Sequence, residues 1–288
     1  MNIESTITTK YKKLLIIPLL LLLISLAILG IQFANKGYII EKDVTLAGGV
    51  SATLILEDYN KETIQLLLEE NFPNSDISIR ELSNLGTGAN TGMIIDISEI
   101  TTKELTPILE ENLEYSEISI QEIGPSLGAS FFKEMLGAIL FAFILMAITI
   151  FIIFRKLIPS LAVIFSAVLD LTVTLAIISM LGFKMSSAGI AAFLMVIGYS
   201  VDTDVLLTTR LLKRKELGPL YERLKGAFKT GMTMTLTTIG ALIVGLIVTN
   251  SIIIQQMFTI ILIALVVDII STWIMNTSML MWYIKKND

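Results

Sequence analysis

Four carboxyls in this chain sit in stretches where water is scarce. GIAAFLMVIGYSVDTDVLLTT, Gly189–Thr209, is apolar enough for a membrane helix, yet it carries Asp202 and Asp204 and runs into Arg210. Asp170 interrupts IFSAVLDLTVTLAII, and Asp268 interrupts LIALVVDIISTWIM, in the same way. A carboxylate at the centre of a bilayer costs about 3 kcal/mol on insertion scales, so each residue needs a reason to be there. Two uses compete. The acids can pair with Arg210, or accept hydrogen bonds from hydroxyls such as Ser200, Thr203 and Thr272, and so knit a helix bundle. Alternatively, intramembrane acids with a partner cation are the usual parts of a proton relay. A carboxyl in a low-dielectric medium favours its neutral form, so it can load a proton from one side and release it to the other as its surroundings change. One charge crossing 100 mV supplies about 2.3 kcal/mol, so the membrane itself can drive motion. Asp170 favours the relay most clearly, since no cation lies near it in sequence. Asp202 and Asp204, nearer one end of their run, suit either use, and Asp268 stands between.

These residues are carried on six apolar runs of about 20 residues, the length that crosses about 30 Å of hydrocarbon. They are Leu14–Phe33, Leu136–Phe154, Leu157–Leu181, Ala188–Leu207, Met232–Val248 and Ile252–Met281. The first follows Lys10, Lys12 and Lys13 as a signal peptide would, but it is too long and lacks a small-x-small cleavage site, so an uncleaved anchor is expected. Span five adds TGMTMTLTT, whose hydroxyls can line a polar seam. A hydrophobic content of 54% and a mean hydropathy of +0.78 place the chain among integral membrane proteins. Arg155 and Lys156, seven Lys or Arg between Arg210 and Lys229, and Lys285 with Lys286 all fall on the side of the first three lysines. The opposite short loops hold only Lys184. The expectation is a multi-pass protein of the cytoplasmic membrane with both termini cytoplasmic.

Several chemistries are excluded. With no Cys and no His there is no disulfide framework, Cys/His zinc site, Ser–His or Cys nucleophile system, or axial-His haem within the chain. No Walker A pattern occurs, and GTGANTG, Gly86–Gly92, has the wrong spacing for a dinucleotide fingerprint and reads as a turn. No enzymatic activity, cofactor or metal is expected.

Between the first and second spans lies a water-facing module. Residues 35–133 hold 6 Lys/Arg against 17 Asp/Glu, a formal charge of −11, while the remainder of the chain is +6. That asymmetry argues against nucleic acid or an anionic lipid surface as its partner. Val50–Glu57 alternates as a strand, Lys61–Phe72 has helical spacing, and Ile77–Leu82 and Gly92–Ser98 are strands. TTKELTPILEENL opens with a capping box, Thr101 to Glu104, before a second helix, and Ile118–Ile123 is the last strand. Two βαβ halves predict an α+β, ferredoxin-like domain, with its acids on a solvated surface. The expected organisation is residues 1–34 as cytoplasmic N-terminus and first helix, 35–133 as the extracytoplasmic domain, and 134–288 as a five-helix transmembrane bundle.

KMSSAGIAAFLMVIGYSVDTDVLLTTRLLKRKE, Lys184–Glu216, resembles the fourth span of the SecF family, one half of the SecD–SecF protein-export complex of the RND superfamily. KDVTLAGGV after the first span, IGPSLGASFFKEML before the second and TMTLTTIGAL in the fifth are similar to family motifs in the same order, over about residues 14–284. The resemblance implies an accessory subunit of the Sec translocase. It would pair with a SecD-like chain, meet the translocon channel and the translocating polypeptide within the lipid bilayer, and use the proton or sodium gradient. It also implies that Asp170 takes the place of the proton-conducting acid and Arg210 that of its basic partner. The bacterial pattern reads Asn-Asp-Ser/Thr where this chain has Asp202-Thr203-Asp204, and a small residue where it has Asp268. The charge network is therefore rearranged in an archaeal-like manner, and no role is inherited by Asp202, Asp204 or Asp268.

The alternative is a subunit of an RND-type small-molecule exporter, but such chains carry two six-span halves and two large outer domains. An intramembrane aspartyl protease needs two carboxyls sharing a proton, normally in Tyr-Asp and Gly-x-Gly-Asp contexts, and neither context is present.

Overall fold

The computed structural model describes residues 13–56, 59–83, 90–249 and 251–287. Lys10, Lys12, Glu57 and most of the GTGANTG turn lie outside the described residues. In chain order the elements are α1 (Ile16–Lys36), the one-turn α2 (Val44–Ala47), β1 (Gly49–Ile55), α3 (Lys61–Asn71), β2 (Ile77–Ser83), β3 (Asn90–Ser98), α4 (Thr102–Asn112) and β4 (Glu117–Ile123). Then follow α5 (Pro125–Phe154), α6 (Leu157–Met180), α7 (Ser187–Leu212) and α8 (Leu220–Val248). The last span is composite: α9 (Ile252–Ile270), a π-helical turn (Ser271–Asn276) and α10 (Thr277–Asn287). Two compact units result, one of Glu41–Leu136 with Lys184–Ser187 and the other of the remaining helical segments.

In the α+β unit the sheet order is β2-β3-β1-β4, and every neighbouring pair is antiparallel. Alternation sends Val50, Ala52 and Leu54 of β1 and Met93, Ile95 and Ile97 of β3 to one face, where Ile64 and Leu68 of α3 and Leu105 and Leu109 of α4 complete a closed core. The Thr101 N–H donates to the Glu104 carboxylate at 2.8 Å, closing the expected capping box and holding Glu104 below the usual carboxylate range.

Chain entry and exit cross at glycines. Gly48 has φ +87°, and a Cβ on it would lie 2.4 Å from the Pro125 Cα, while a Cβ on Gly128 would lie 2.8 Å from the Gly48 nitrogen. The two segments therefore touch backbone to backbone, which only residues without side chains permit.

Not all the acids of this unit are solvated, contrary to expectation. Register puts Ser51 and Asp96 on the sheet face opposite the core, where α2 packs against β1 and β3 and buries Asp96. Asp96 pairs there with Arg80 and accepts from the Ser51 hydroxyl at 2.6 Å. Asp43 caps α2, accepting from the Thr45 N–H and hydroxyl, and burial pushes its pKa up to about 6.

Lys184–Ser187 joins the same unit. Met185 N–H donates to the Glu41 carbonyl at 2.7 Å, Asp43 N–H donates to the Met185 carbonyl at 3.0 Å, and Ser187 N–H donates to the Thr45 hydroxyl at 3.0 Å. The Lys184 ammonium contacts Glu41 and Asp76, each at 2.7 Å. Burial opposes its charge, but these carboxylates outweigh that and hold it above the usual lysine range.

Among the described residues, six helices are long and apolar enough to cross a membrane. Helices α5 and α7 are each helical without a break. Helix α5 begins eleven residues before the apolar run at Leu136, because Pro125 is preorganised for a first helical position and helix formation does not require apolar residues. Helix α8 likewise starts at Leu220, ahead of Met232. Within the helical unit, about half the residues in the apolar stretches of α6, α7 and the sixth span are buried, whereas few are in those of α5 and α8. Leu169 and Val173 of α6 pack with Val267 and Met275, and Leu207 and Leu211 of α7 pack with Leu224, Leu280 and Met281.

Candidate functional site

Helical rotation sorts the acids. Successive residues turn by about 100°, so Asp202 and Asp204 stand about 200° apart on α7. Asp204 shares the buried face with Ser200, Thr203 and Leu207, at spacings of three and four, while Asp202 is exposed. Asp170 projects from the buried side of α6, and Asp268 from that of α9. All three buried carboxyls are at most 1% exposed, and they meet: Asp268 faces both Asp170 and Asp204.

Hydroxyls and one amide surround them. The Ser200 hydroxyl donates to Asp170 Oδ2 at 2.5 Å, and Thr203 lies 3.3 Å from Asp268 Oδ2. The Thr272 hydroxyl lies 2.9 Å from Asp204 Oδ1 and 3.1 Å from Asp268 Oδ1. Asn276 Nδ2 donates to Asp204 Oδ1 at 2.6 Å. Ser200, Thr203 and Thr272 are the hydroxyls named from sequence as partners.

Asn276 is not legible in that way, because its place depends on the π turn. In an unbroken α-helix it would be rotated about 80° from Asp268, eight residues earlier. The wider i→i+5 turn slows the rotation and keeps Thr272 and Asn276 on the face that Asp268 begins. Thr277 N–H reaches the Thr272 carbonyl, and its hydroxyl donates to the same oxygen at 3.1 Å. The available signal was the run of Ser271, Thr272, Asn276, Thr277 and Ser278 in a segment long enough to be a span; all five are buried.

Arg210 is not part of this cluster. Its guanidinium donates to the Thr230 hydroxyl on α8 at 3.0 Å. With Asp202, Thr209, Arg214 and Met234 it lines an open cavity of about 580 Å³. Of the five expected site residues, Asp170, Asp204 and Asp268 converge, and Asp202 and Arg210 line this second region. The reason is rotational, since neither residue shares the buried stripe of α7. Among the described residues no group of three His, Cys, Asp or Glu is arranged to hold a metal ion.

Three buried carboxyls joined through hydroxyls can take up and exchange protons, or accept hydrogen bonds as a structural knot. Comparison with known proteins bears on the family to which the chain belongs. Residues 104–286 match the family described as protein export membrane protein SecD/SecF, C-terminal. A protein-export membrane protein SecF from Methanolacinia petrolearia is 36% identical over 96% of this chain and 94% of its own length. One from Methanocaldococcus jannaschii is 38% identical over 96% of each chain. The crystal structure of SecDF, a translocon-associated membrane protein from Thermus thermophilus, superposes with a TM-score of 0.76 at 18% identity over 100% of this chain. This chain spans 39% of that longer protein's length, so at such identity the likeness is one of fold.

Proposed function

Since the chain belongs to the SecF family of protein-export membrane proteins, we propose that it is an accessory subunit of the Sec translocase, pairing with a SecD-type chain and promoting export with energy from the proton or sodium gradient. The observation that carries the reading is the meeting of Asp170, Asp204 and Asp268 on three packed spans, buried among hydroxyls. A purely structural knot would need no titratable group there, because neutral pairs avoid the desolvation cost of a buried charge. A relay needs titratable groups placed where a change in packing alters their proton affinity.

The likeness to SecDF supports pairing with a SecD-type partner. The chain spans nearly all of the SecF relatives but 39% of the SecDF chain. The basic loops support a reading in which the chain lies in the cytoplasmic membrane with both termini in the cytoplasm. The acidic α+β unit, which we read as a ferredoxin-like domain on the opposite side, is suited by its βαββαβ order and antiparallel sheet to meet emerging polypeptide. Arg210 and Asp202, beside an open cavity, are available to a partner's groups.

Asp170→Asn tests the reading. It preserves size and hydrogen bonding while removing the proton site. The expected result is normal insertion and normal co-purification with the SecD-type partner, with loss of gradient-dependent stimulation of preprotein export. Export is measured at matched expression, with and without an uncoupler, and with sodium replaced by potassium. Full stimulation in the Asn variant would leave Asp170 as a packing residue.

A further inference from the structure

We propose that Thr272 is a proton-transfer residue, its hydroxyl passing a proton from Asp268 to Asp204. This deepens the gradient-coupling reading and rests on it for its role in export, though the proton bridge itself stands on local geometry. The Thr272 hydroxyl oxygen is within hydrogen-bond distance of one oxygen from each carboxyl, 2.9 Å from Asp204 Oδ1 and 3.1 Å from Asp268 Oδ1. A hydroxyl has one hydrogen to donate and lone pairs with which to accept. It can donate to only one of the two. At the other, the hydrogen between the oxygens must come from the carboxyl. Were both acids ionised, one contact would hold an anionic oxygen against a lone pair in a site closed to water, which low dielectric makes especially costly. The arrangement therefore contains at least one protonated carboxyl.

Asn276 indicates which. An amide nitrogen only donates, and Nδ2 lies 2.6 Å from Asp204 Oδ1. That oxygen is already an acceptor, so it is the natural end point for the Thr272 hydrogen as well. Asp268 Oδ1 is then the oxygen that carries a hydrogen and donates it to Thr272. Both threonine and asparagine are presented by the π turn, which puts the donor set against Asp204. Among the described residues, the charged or titratable groups facing Thr272 from the packed helices are the carboxyls themselves, with Asp170 beyond Asp268 on α6. Asp202 is exposed, and Arg210 donates to Thr230.

The step balances without an outside reactant. When Asp204 is ionised, Asp268 Oδ1 gives its proton to Thr272 Oγ1 while Thr272 gives its own hydrogen to Asp204 Oδ1. One O–H bond breaks and one forms at the threonine, which ends as it began. Asp268 becomes the carboxylate and Asp204 the neutral acid. Because Asp268 also faces Asp170, the path runs from Asp170 through Asp268 and Thr272 to Asp204.

The test uses the full chain with its SecD-type partner in lipid nanodiscs, read by pH-difference infrared spectroscopy of neutral carboxyl C=O bands, with preprotein export as a second readout. One band should vanish in Asp268→Asn. It should move to higher wavenumber in Thr272→Val, which keeps the shape and removes the hydroxyl, and stay in place in Thr272→Ser. Gradient-dependent stimulation should be lost in the Val variant and kept in the Ser variant. Thr272→Ala repeats the comparison if the Val variant does not assemble. A band that survives Asp268→Asn, or that does not move without the hydroxyl, overturns the proposal. A moved band with stimulation lost in Asp170→Asn but intact in Thr272→Val also overturns the transfer role. If stimulation is intact in both variants while the band still moves, the export reading fails and the proton bridge stands.

Discussion

At Asp43 opposing influences meet on one carboxyl. Burial raises its pKa from 3.8 to about 6, and the two hydrogen bonds from Thr45 only partly offset that. Between about pH 4 and pH 6 the folded unit therefore holds a proton that the unfolded chain has released, so stability falls as pH rises through this window. The shift corresponds to roughly 3 kcal/mol at most. Hydrogen exchange of the β1 amides, corrected for intrinsic rates, should show weaker protection at pH 7 than at pH 4, and Asp43→Asn should flatten that dependence. Equal slopes in both proteins would remove Asp43 as its source. The same scale shows what residue types can and cannot disclose. The intramembrane acids announce themselves by cost alone, and Ser200, Thr203 and Thr272 follow as donors. That Asp204 turns inward and Asp202 outward depends on which stripe of α7 its neighbours cover. Two acids two residues apart must diverge, but nothing in the stretch says which one is buried.

Among the elements, strands and helices of the α+β unit are legible because their periodicities differ, two against 3.6. Helix α2 is too short to have a period, and so its cover over Asp96 has no sequence signal. The π turn is equally silent, since one extra residue in a span changes no composition. Starts of α5 and α8 are masked because hydropathy marks the membrane and not the helix. The glycines of AGGV and GPSLG are visible, but their reason is the crossing of two backbones. Gly128→Ala should thus destabilise the chain by about 2 kcal/mol or more, since the colliding atom is backbone and cannot swing aside. Gly137→Ala, nine residues further along α5 with open space at its Cβ, should be neutral or slightly stabilising. Thermal unfolding of the purified chain separates the two. Matching midpoints would mean the crossing can relax.

For the whole molecule, charge and exposure decide the surroundings. Helices α5 and α8 leave long apolar faces uncovered, as lipid or a partner's helices would require. The −11 on residues 35–133 and the +6 elsewhere divide the chain into a water-facing and a membrane-anchored part, and the basic residues favour one orientation. That orientation is what the proposed function needs, because an export subunit that draws on the gradient must present its acidic unit where polypeptide emerges. The chain has no cysteine, so a single introduced thiol reports its own side of the membrane without background. Asn74, exposed just before β2, and Lys215, exposed in the loop between α7 and α8, lie in segments separated by spans two, three and four, an odd number. In intact cells an impermeant maleimide should label Asn74→Cys, and it should label Lys215→Cys only after the membrane is opened. Labelling of both from outside would break the six-span arrangement. The reverse pattern would keep the spans but put the α+β unit in the cytoplasm, and with it fall the proposed role in receiving exported polypeptide.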